Sequence, residues 1–186
     1  MSSITEINKE VNNAKFINHI LSNLPGFIEI REFNNAGYVN KVWFKKADEL
    51  LEYKPPEEKD VYFGVSGRKD TSSGSSKNLT KVNALWADYD DMNLNEVKDR
   101  IKKAGLPEAS IHISSGHGIH SYWLLDEPFD AHKIISFVKY ISNETGSDPR
   151  AAEAARIMRL PGSYNNKSKK ILCEIIELDA SKRYSI

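Results

Sequence analysis

The stretch VNALWADYD, residues 82–90, decides the fold, because an apolar run ends there in two carboxylates separated by one tyrosine. An apolar run of this length predicts a buried central strand. Residues i and i+2 of a strand point to the same face, so the Cα atoms of Asp88 and Asp90 lie about 6.6 Å apart on one face. Carboxylates this close repel one another unless a cation neutralises them, and all-oxygen ligands favour Mg²⁺ or Mn²⁺. The pair predicts a metal site; the alternative is a polar strand end in water.

The segments around this strand predict an α+β protein with a mostly antiparallel sheet backed by helices on one face. Asn93 and Asp130 are the predicted N-cap residues of the two helices that follow the strand. Those downstream elements are helices at 93–105 and 130–146 and strands at 110–115, 118–125 and 170–178. The upstream elements are one or two helices within 4–24, strands at 27–33, 38–44 and 61–65, and a short helix at 46–53.

Between residues 66 and 78 the sequence SGRKDTSSGSSKN is rich in serine and glycine and has no hydrophobic periodicity. This composition predicts a flexible loop, which is either a linker or a flap over a site. The length of 186 residues indicates one domain with a small additional lobe. We therefore predict an N-terminal α/β lobe over 1–66, the flexible loop over 67–80, and a lobe that carries the acids over 81–186.

Charge and cysteine content limit the classes of protein that fit. The 26 lysines and arginines balance the 26 acids, which argues against a general nucleic-acid coating protein. A local basic segment remains, because residues 149–170 contain six lysines and arginines and one acid, Glu153. The single cysteine, Cys173, excludes an intrachain disulfide and fits a reducing cytoplasm. The polar N-terminus lacks a signal peptide, and no apolar stretch approaches the roughly 20 residues that span a membrane.

Two further segments contain residues suited to binding phosphate. In SSGHGIHSYW, residues 114–123, Gly116 and Gly118 flank His117 and allow a tight turn or a close approach of the backbone. His120 follows on the next strand, where a buried core histidine is the alternative. The histidines match no standard zinc spacing. The second segment, residues 146–170, places Asp148 after a predicted helix and carries cations around a Pro-Gly turn, namely Arg156, Arg159 and Lys167. A solvated surface patch is the alternative for these cations.

The order of these motifs resembles the archaeo-eukaryotic primase superfamily, and most of all its primase-polymerase and phage and plasmid replication-primase branches. The motifs are D-x-D at 88–90, S-G-x-G-x-H at 115–120, G-x-D at 146–148 and R-x-x-R-L-P-G-x-x-N-x-K at 156–167. The segment YFGVSGRK, residues 62–69, is also similar to the strand and loop that precede the acid pair in that superfamily. The resemblance runs from about Asp60 to Ile176, nearly two thirds of the chain.

The resemblance implies a role for each matching residue. The catalytic acids and metal ligands would be Asp88, Asp90 and Asp148, and the nucleotide-binding residues would be Ser115, Gly116, His120, Arg156 and Lys167. Two positions depart from the pattern. Gly118 stands where many relatives have a small hydroxyl residue, and Glu153, three residues before the arginine where relatives often have aspartate, is an alternative to Asp148 as the third acid.

The fold that the resemblance implies is a primase catalytic core with an RRM-like sheet. The implied activity is template-directed nucleotidyl transfer with two Mg²⁺ or Mn²⁺ ions, as a DNA primase, a DNA polymerase or both, in the replication of a phage, plasmid or other mobile element. The implied partners are a single-stranded DNA template, a primer and nucleoside triphosphates, together with a helicase or a C-terminal helical domain that this chain lacks. A membrane is not expected, and the expected location is the cytoplasm of a bacterial or archaeal host.

Two other functions compete with this interpretation. One is a primase-like module that binds nucleic acid or recruits a helicase without catalysis; carboxylates that face phosphates without metal ions would repel them, which argues against it. The other is a replication-initiator nickase, which needs two histidines separated by one apolar residue. The segments H-I-S at 112–114 and H-G-I-H at 117–120 do not fit that spacing.

Overall fold

The computed structural model of the protein describes residues 4–34, 36–37 and 39–186, and within these ranges the side chains from Lys9 onward. Parts of the predictions that concern residues 1–3, Asn35 and Tyr38 lie outside the described residues. The helices are α1 (Ile4–Leu21), α2 (Ala47–Leu51), α3 (Leu94–Lys103) and α4 (Ile135–Thr145). The strands are β1 (Ile28–Phe33), β2 (Val39–Phe44), β3 (Asp60–Gly64), β4 (Lys81–Asp90), β5 (Ile111–Ser114), β6 (Gly118–Asp130), β7 (Ile157–Arg159), β8 (Tyr164–Asn165), β9 (Ile171–Leu172), β10 (Glu174–Leu178) and β11 (Arg183–Tyr184).

The apolar run 82–90 forms β4, which pairs antiparallel with β6 in the larger sheet, as predicted. Strand β6 pairs with β4 along one side and with β5 and then β11 along the other, and β10 pairs with the far side of β5. One face is covered by α3 and α4, and Tyr89 of β4 donates a hydrogen bond to Thr145 of α4 on this face. The opposite face carries Asp88 and packs in part against α1, since the ring of Tyr122 lies edge-on to Phe16 of that helix.

Helix α3 begins where the sequence predicts. The Asn93 side chain accepts hydrogen bonds from the backbone of Asn95 and Glu96, and the Glu96 carboxylate accepts one from the Asn93 backbone. This capping box satisfies backbone donors that the first turn leaves without partners. Val97 and Ile101 are the residues of this helix that are buried against the sheet. None of the helices in the described part of the chain is long and apolar enough to cross a membrane.

The smaller sheet has the strand order β2-β1-β3-β7. The hairpin of β1 and β2 was predicted from the alternating residues of 27–33 and the turn after them, and β3 was predicted from the short apolar run 61–65. The fourth strand, β7, comes from residues 157–159 and pairs antiparallel with β3. The assignment of all of 81–186 to the second lobe is therefore wrong for β7, because a late segment of the chain completes the N-terminal sheet. Phe16 contacts both Phe63 of this sheet and Tyr122 of the larger one, so a single core joins the two.

Three predicted elements differ from the structure, and one of them is the strand predicted over 118–125, which continues to Asp130 as β6. Helix α4 starts at Ile135, and Asp130 ends β6 instead of capping the helix; its carboxylate accepts hydrogen bonds from the backbone of His132 and Lys133, in the turn before α4. The predicted strand 170–178 is interrupted at Cys173. There the backbone N–H of Cys173 donates to the carbonyl of Ser163 at 2.8 Å, so this residue pairs with the 160–163 turn and separates β9 from β10.

The serine-rich segment 66–80 is irregular, as predicted, but contacts the smaller sheet closely. Arg68 and Glu29 are both fully buried and form an ion pair, with 2.9 Å between Nε and Oε2. Arg31 of β1 also holds the segment by donating to the carbonyl of Gly74 at 3.2 Å. The backbone of Gly67 pairs with Lys81, at the end of β4 that is remote from Asp88 and Asp90, so these contacts do not support the flap alternative. The flexibility of residues 67–80 stays a prediction.

Candidate active site

The structure brings the three predicted acids together. Asp88 and Asp90 project from the end of β4, and the backbone N–H of Asp148 donates to the carbonyl of Asp88 at 2.7 Å. The segment after Asp148 is held against the same strand, because the Trp86 indole donates to the carbonyl of Ala151 at 2.8 Å. The two motifs, far apart in sequence, therefore meet through backbone hydrogen bonds. Glu153, the alternative third acid, has an exposed side chain.

Nearby cations compensate the negative charge of Asp148 but not fully that of Asp90, as the pKa shifts of the two carboxyl groups indicate. Burial raises the pKa of Asp90, and the neighbouring carboxylates of Asp88 and Asp148 raise it further. Burial also acts to raise the pKa of Asp148, but hydrogen bonds from Arg150 outweigh it and the net pKa is lowered. A carboxyl group whose pKa is raised by like charges gains most from a nearby cation, because the cation removes the repulsion.

Two arginines contact the acids directly. Arg156 Nη2 lies 3.2 Å from Asp88 Oδ2. Arg150 Nε lies 3.0 Å from Asp148 Oδ1, and its Nη2 lies 3.8 Å from Asp90 Oδ2. The two cations differ in exposure, since 25% of the Arg156 side chain is exposed but 80% of the Arg150 side chain. Arg156 is therefore a fixed part of the site, whereas Arg150 is held almost entirely by the carboxylates.

His120 faces Asp88 across the β4–β6 ladder, with 3.5 Å between its Nε2 and Asp88 Oδ1. The ring is buried, its Nδ1 has no hydrogen-bond partner among the described residues, and burial lowers its pKa, which favours the neutral imidazole. His112 is the contrasting case on the opposite face of the sheet. Its Nδ1 is 2.9 Å from Ser121 Oγ, so His112 is the core histidine with a satisfied polar atom, and His120 is not.

The S-G-x-G-x-H segment forms the turn between β5 and β6. The backbone N–H of Ser115 donates to the carbonyl of Gly118 at 2.9 Å, and Gly116 adopts a φ of 94°, which favours glycine. Gly118 has a different reason to be glycine. A Cβ atom there would lie 2.1 Å from the carbonyl oxygen of Tyr89, so the small hydroxyl residue expected from the resemblance does not fit in this chain.

The β8–β9 hairpin contacts this turn from the other side. Asn165 Nδ2 donates to the carbonyl of Ser115 at 2.9 Å, and His117 Nε2 lies 3.1 Å from the Ser168 hydroxyl. Lys167 extends from the hairpin into solvent, and its charge acts to lower the pKa of Asp90. The basic segment therefore lies beside the acids instead of forming a separate surface patch.

A cleft of about 130 Å³ lies where these elements meet. Most of the predicted site residues line it, namely Asp88, Asp90, Ser115, His120, Arg156 and Lys167. A larger cavity of about 440 Å³ lies beside α3, on the other face of the sheet and away from the acids. The small cleft is thus lined by two carboxylates, a buried histidine and the cations Arg156 and Lys167.

The charged groups of this cleft that could bind a cation are the carboxylates of Asp88 and Asp90, and carboxylate oxygens are the ligands that a hard divalent cation prefers. In the described residues no three His, Cys, Asp or Glu side chains are grouped closely enough to bind an ion as they stand. Arg150 and Arg156 contact carboxylate oxygens of Asp148 and Asp88, so the acids are paired with cations of the protein.

No protein-family model matches the chain. A replication protein from Clostridium perfringens is 26% identical over 176 residues, which cover 88% of this chain and 42% of that protein. The chain thus spans about two fifths of the length of this curated relative.

Solved structures give a closer comparison of the fold. The AEP domain of the primase-polymerase of cyanophage S-2L superposes with a TM-score of 0.72 over 96% of this chain and 93% of that domain, at 17% identity. The chain has the fold of this archaeo-eukaryotic primase (AEP) domain. The catalytic domain of primase RepB', solved in complex with initiator DNA, superposes with a TM-score of 0.66 over 91% of this chain and 83% of that one, at 15% identity. The sequence-based resemblance is confirmed at the level of the fold.

The sequence analysis assigned one cation, Arg159, to the wrong role, and it did not predict two residues of the site. Arg159 was grouped with the phosphate-binding cations, but it is buried, pairs with Asp60 at 2.7 Å and lies over the ring of Tyr62. Arg159 therefore holds β7 to β3. Arg150 and Asn165 were not predicted as site residues. The lopsided charge of 149–170 was the signal for Arg150. Asn165 is the asparagine of the R-x-x-R-L-P-G-x-x-N-x-K motif, but its contact with Ser115, 50 residues away, is visible only in the structure.

Proposed function

We propose that this chain is a metal-dependent nucleotidyltransferase that carries out template-directed synthesis, as a DNA primase, a DNA polymerase or both, in the replication of a phage, plasmid or other mobile element. The observation that carries the proposal is the cleft of the AEP fold, where Asp88 contacts Arg156 and faces His120 beside Asp90. Asp148 does not line the cleft, but its backbone N–H donates to the carbonyl of Asp88. The relative named as a replication protein and the RepB' primase solved with initiator DNA support it.

Asp88, Asp90 and Asp148 would hold Mg²⁺ or Mn²⁺. When bound, such ions lower the pKa of a primer 3′-hydroxyl and stabilise the charge of the triphosphate and the leaving pyrophosphate. The protein contributes placement of the ligands. Asp88 and Asp90 share one face of β4 because they are two residues apart, and the hydrogen bond from the Asp148 backbone to the Asp88 carbonyl fixes the third acid beside them.

The triphosphate of the incoming nucleotide would be bound by Ser115, Gly116, His120, Arg156 and Lys167. In the described part of the chain Arg156 Nε and His120 Nδ1 are buried polar atoms without a hydrogen-bond partner, and both residues line the cleft. The Arg156 Nε–H is a donor, and a buried donor without a partner costs free energy, so a ligand oxygen that accepts from it binds with a corresponding gain. The positive φ of Gly116 turns the backbone tightly before the cleft, which suits a loop that approaches phosphate.

The experiment is primer synthesis and primer extension on a single-stranded DNA template with labelled nucleotides and Mg²⁺ or Mn²⁺. The double variant Asp88→Ala with Asp90→Ala should abolish incorporation and keep the wild-type circular dichroism spectrum. The matched control is Asp91→Asn, since Asp91 is the adjacent acid, is exposed, and has a φ of 55° that asparagine tolerates. Extension at the wild-type rate by the double variant would show that the assignment is wrong.

The third acid is tested in the same assay. Asp148→Ala should reduce incorporation far more than Glu153→Ala, because Asp148 lies beside Asp88 and the Glu153 side chain is exposed. The opposite order would assign the third ligand to Glu153.

The two competing functions are separated by other measurements. A non-catalytic module would show no increase in melting temperature when Mn²⁺ and nucleotide are added together, whereas the proposed enzyme should show one. A nickase would need histidines that converge on one metal ion. In the described residues the histidines of the two motifs diverge, with His112 in the core, His120 in the cleft and His117 in contact with Ser168. A helicase or additional helical domain as partner stays a prediction.

A further inference from the structure

The side chain of Asn165 connects two segments of the cleft that are distant in sequence. Asn165 ends the two-residue strand β8 and is only 3% exposed. Its Nδ2 donates to the carbonyl of Ser115 at 2.9 Å, and its Oδ1 accepts from the backbone N–H of Lys167 at 3.2 Å. The Asn165 amide thus bonds the Ser115–Gly116 turn through its nitrogen and the β8–β9 hairpin through its oxygen.

Packing reinforces these hydrogen bonds. A Cβ atom added at Gly116 would lie 3.0 Å from Asn165 Cβ and 3.2 Å from its Nδ2. The turn and the amide therefore lie close together, with little room between them. The Ser115 N–H is bonded in turn to the Gly118 carbonyl, and the turn is also held by the backbone of Asp91, which donates to the carbonyl of His117, so Asn165 is one of the contacts that position it.

We infer that Asn165 is a positioning residue that sets the distance between the Ser115–Gly116 turn and Lys167, so that both meet one nucleoside triphosphate. The inference rests on the proposed function and adds a residue to it. Asn165 need not touch the nucleotide. Its amide is already bonded at both ends, and the groups it holds, the turn and the exposed lysine, are those that line the cleft beside the acids.

This role predicts a loss of affinity that a purely structural role does not. Without the amide, Lys167 and the turn move independently, and each must be ordered again when nucleotide binds. Loss of one such hydrogen bond should weaken nucleotide binding about tenfold. The loss should also depend on Lys167, because residues that act through one another are not additive.

The test is isothermal titration of the full chain with a non-hydrolysable nucleoside triphosphate in the presence of Mn²⁺. Asn165→Ala should bind about tenfold more weakly than wild type. Asn166→Ala is the matched control and should bind normally, since the Asn166 side-chain amide donates to the exposed carbonyl of Glu57, away from the Ser115–Gly116 turn. In a Lys167→Ala background, Asn165→Ala should cost clearly less than in wild type.

The outcomes separate the inference from the proposed function. Wild-type affinity in Asn165→Ala, or equal losses in the two backgrounds, would overturn the inference while nucleotide binding stands. No binding by the wild-type chain would overturn the proposed function and the inference with it. If Asn165→Ala lowers the melting temperature too far to be titrated, Asn165→Asp is used, because it keeps the size and the acceptor for Lys167 but removes the donor to Ser115. Normal binding by that variant would also overturn the inference.

Discussion

Replacing His112 by glutamine should change how the stability of the protein depends on pH. His112 is 2% exposed, and burial lowers its pKa from 6.5 to about 4. The folded state thus keeps this ring neutral, while the unfolded chain binds a proton as the pH falls below about 6.5. Because the unfolded state binds more protons between these two pKa values, the free energy of unfolding falls as the pH decreases from about 7 to about 4.

The size of the effect follows from the same two pKa values. At pH 5 the ring is almost fully protonated in the unfolded chain and almost fully neutral in the folded one. The linkage relation then gives a loss of about 2 kcal/mol relative to pH 7.5. Glutamine does not titrate and can still bond the Ser121 hydroxyl. We expect the wild-type protein to lose about 2 kcal/mol more than His112→Gln over this range.

The measurement is urea unfolding followed by circular dichroism at several pH values between 5 and 7.5. The exposed residue His132 provides the control, and His132→Gln should follow the wild-type curve. The comparison is between pH slopes, so any constant loss of stability caused by the substitution cancels. Parallel curves for wild type and His112→Gln would refute the claim that the folded protein holds this histidine neutral.

Two further predictions concern the site. Gly118→Ser should lower the free energy of unfolding by about 1–3 kcal/mol in urea titrations, because its Cβ would lie 2.1 Å from the Tyr89 carbonyl; wild-type stability would show that the strand accommodates a side chain there. Arg150→Ala should lower the Mn²⁺ dissociation constant measured by titration calorimetry, because it removes the guanidinium that occupies Asp148; weaker Mn²⁺ binding would mean that Arg150 helps to hold the ion or orders Asp148.

Much of the fold could be predicted because its main elements carry strong local signals. The apolar run of β4, the capping box at Asn93 and Glu96, and the alternating residues of β1 each determine an element within a short window. The acid pair could be placed on one face from strand geometry alone. The structure brings Asp148 to that pair, which the order of the motifs suggested but spacing by itself did not determine.

The remaining features depend on contacts between distant residues, which a local pattern does not contain. Strand β7 has three residues and forms only because β3 supplies a partner. Arg159 and Arg156 are both arginines of one short segment, and no local pattern distinguishes them. In the structure Arg159 is buried in an ion pair with Asp60, whereas Arg156 pairs with Asp88 at the cleft. The break at Cys173 likewise depends on a bond to the carbonyl of Ser163.

Strand β7 lies far along the chain from β3, the strand it pairs with, and this separation matters while the chain is being synthesised on the ribosome. Residues 28–64 can form β1, β2 and β3 early, but β3 then ends the sheet with its backbone groups unpaired until residues 157–159 have been made. Val61 and Phe63, fully buried in the finished protein, lie on this strand. An apolar edge strand that waits for its neighbour is a site for pairing with other nascent chains. Slow translation between residues 64 and 157 should therefore favour aggregation over folding.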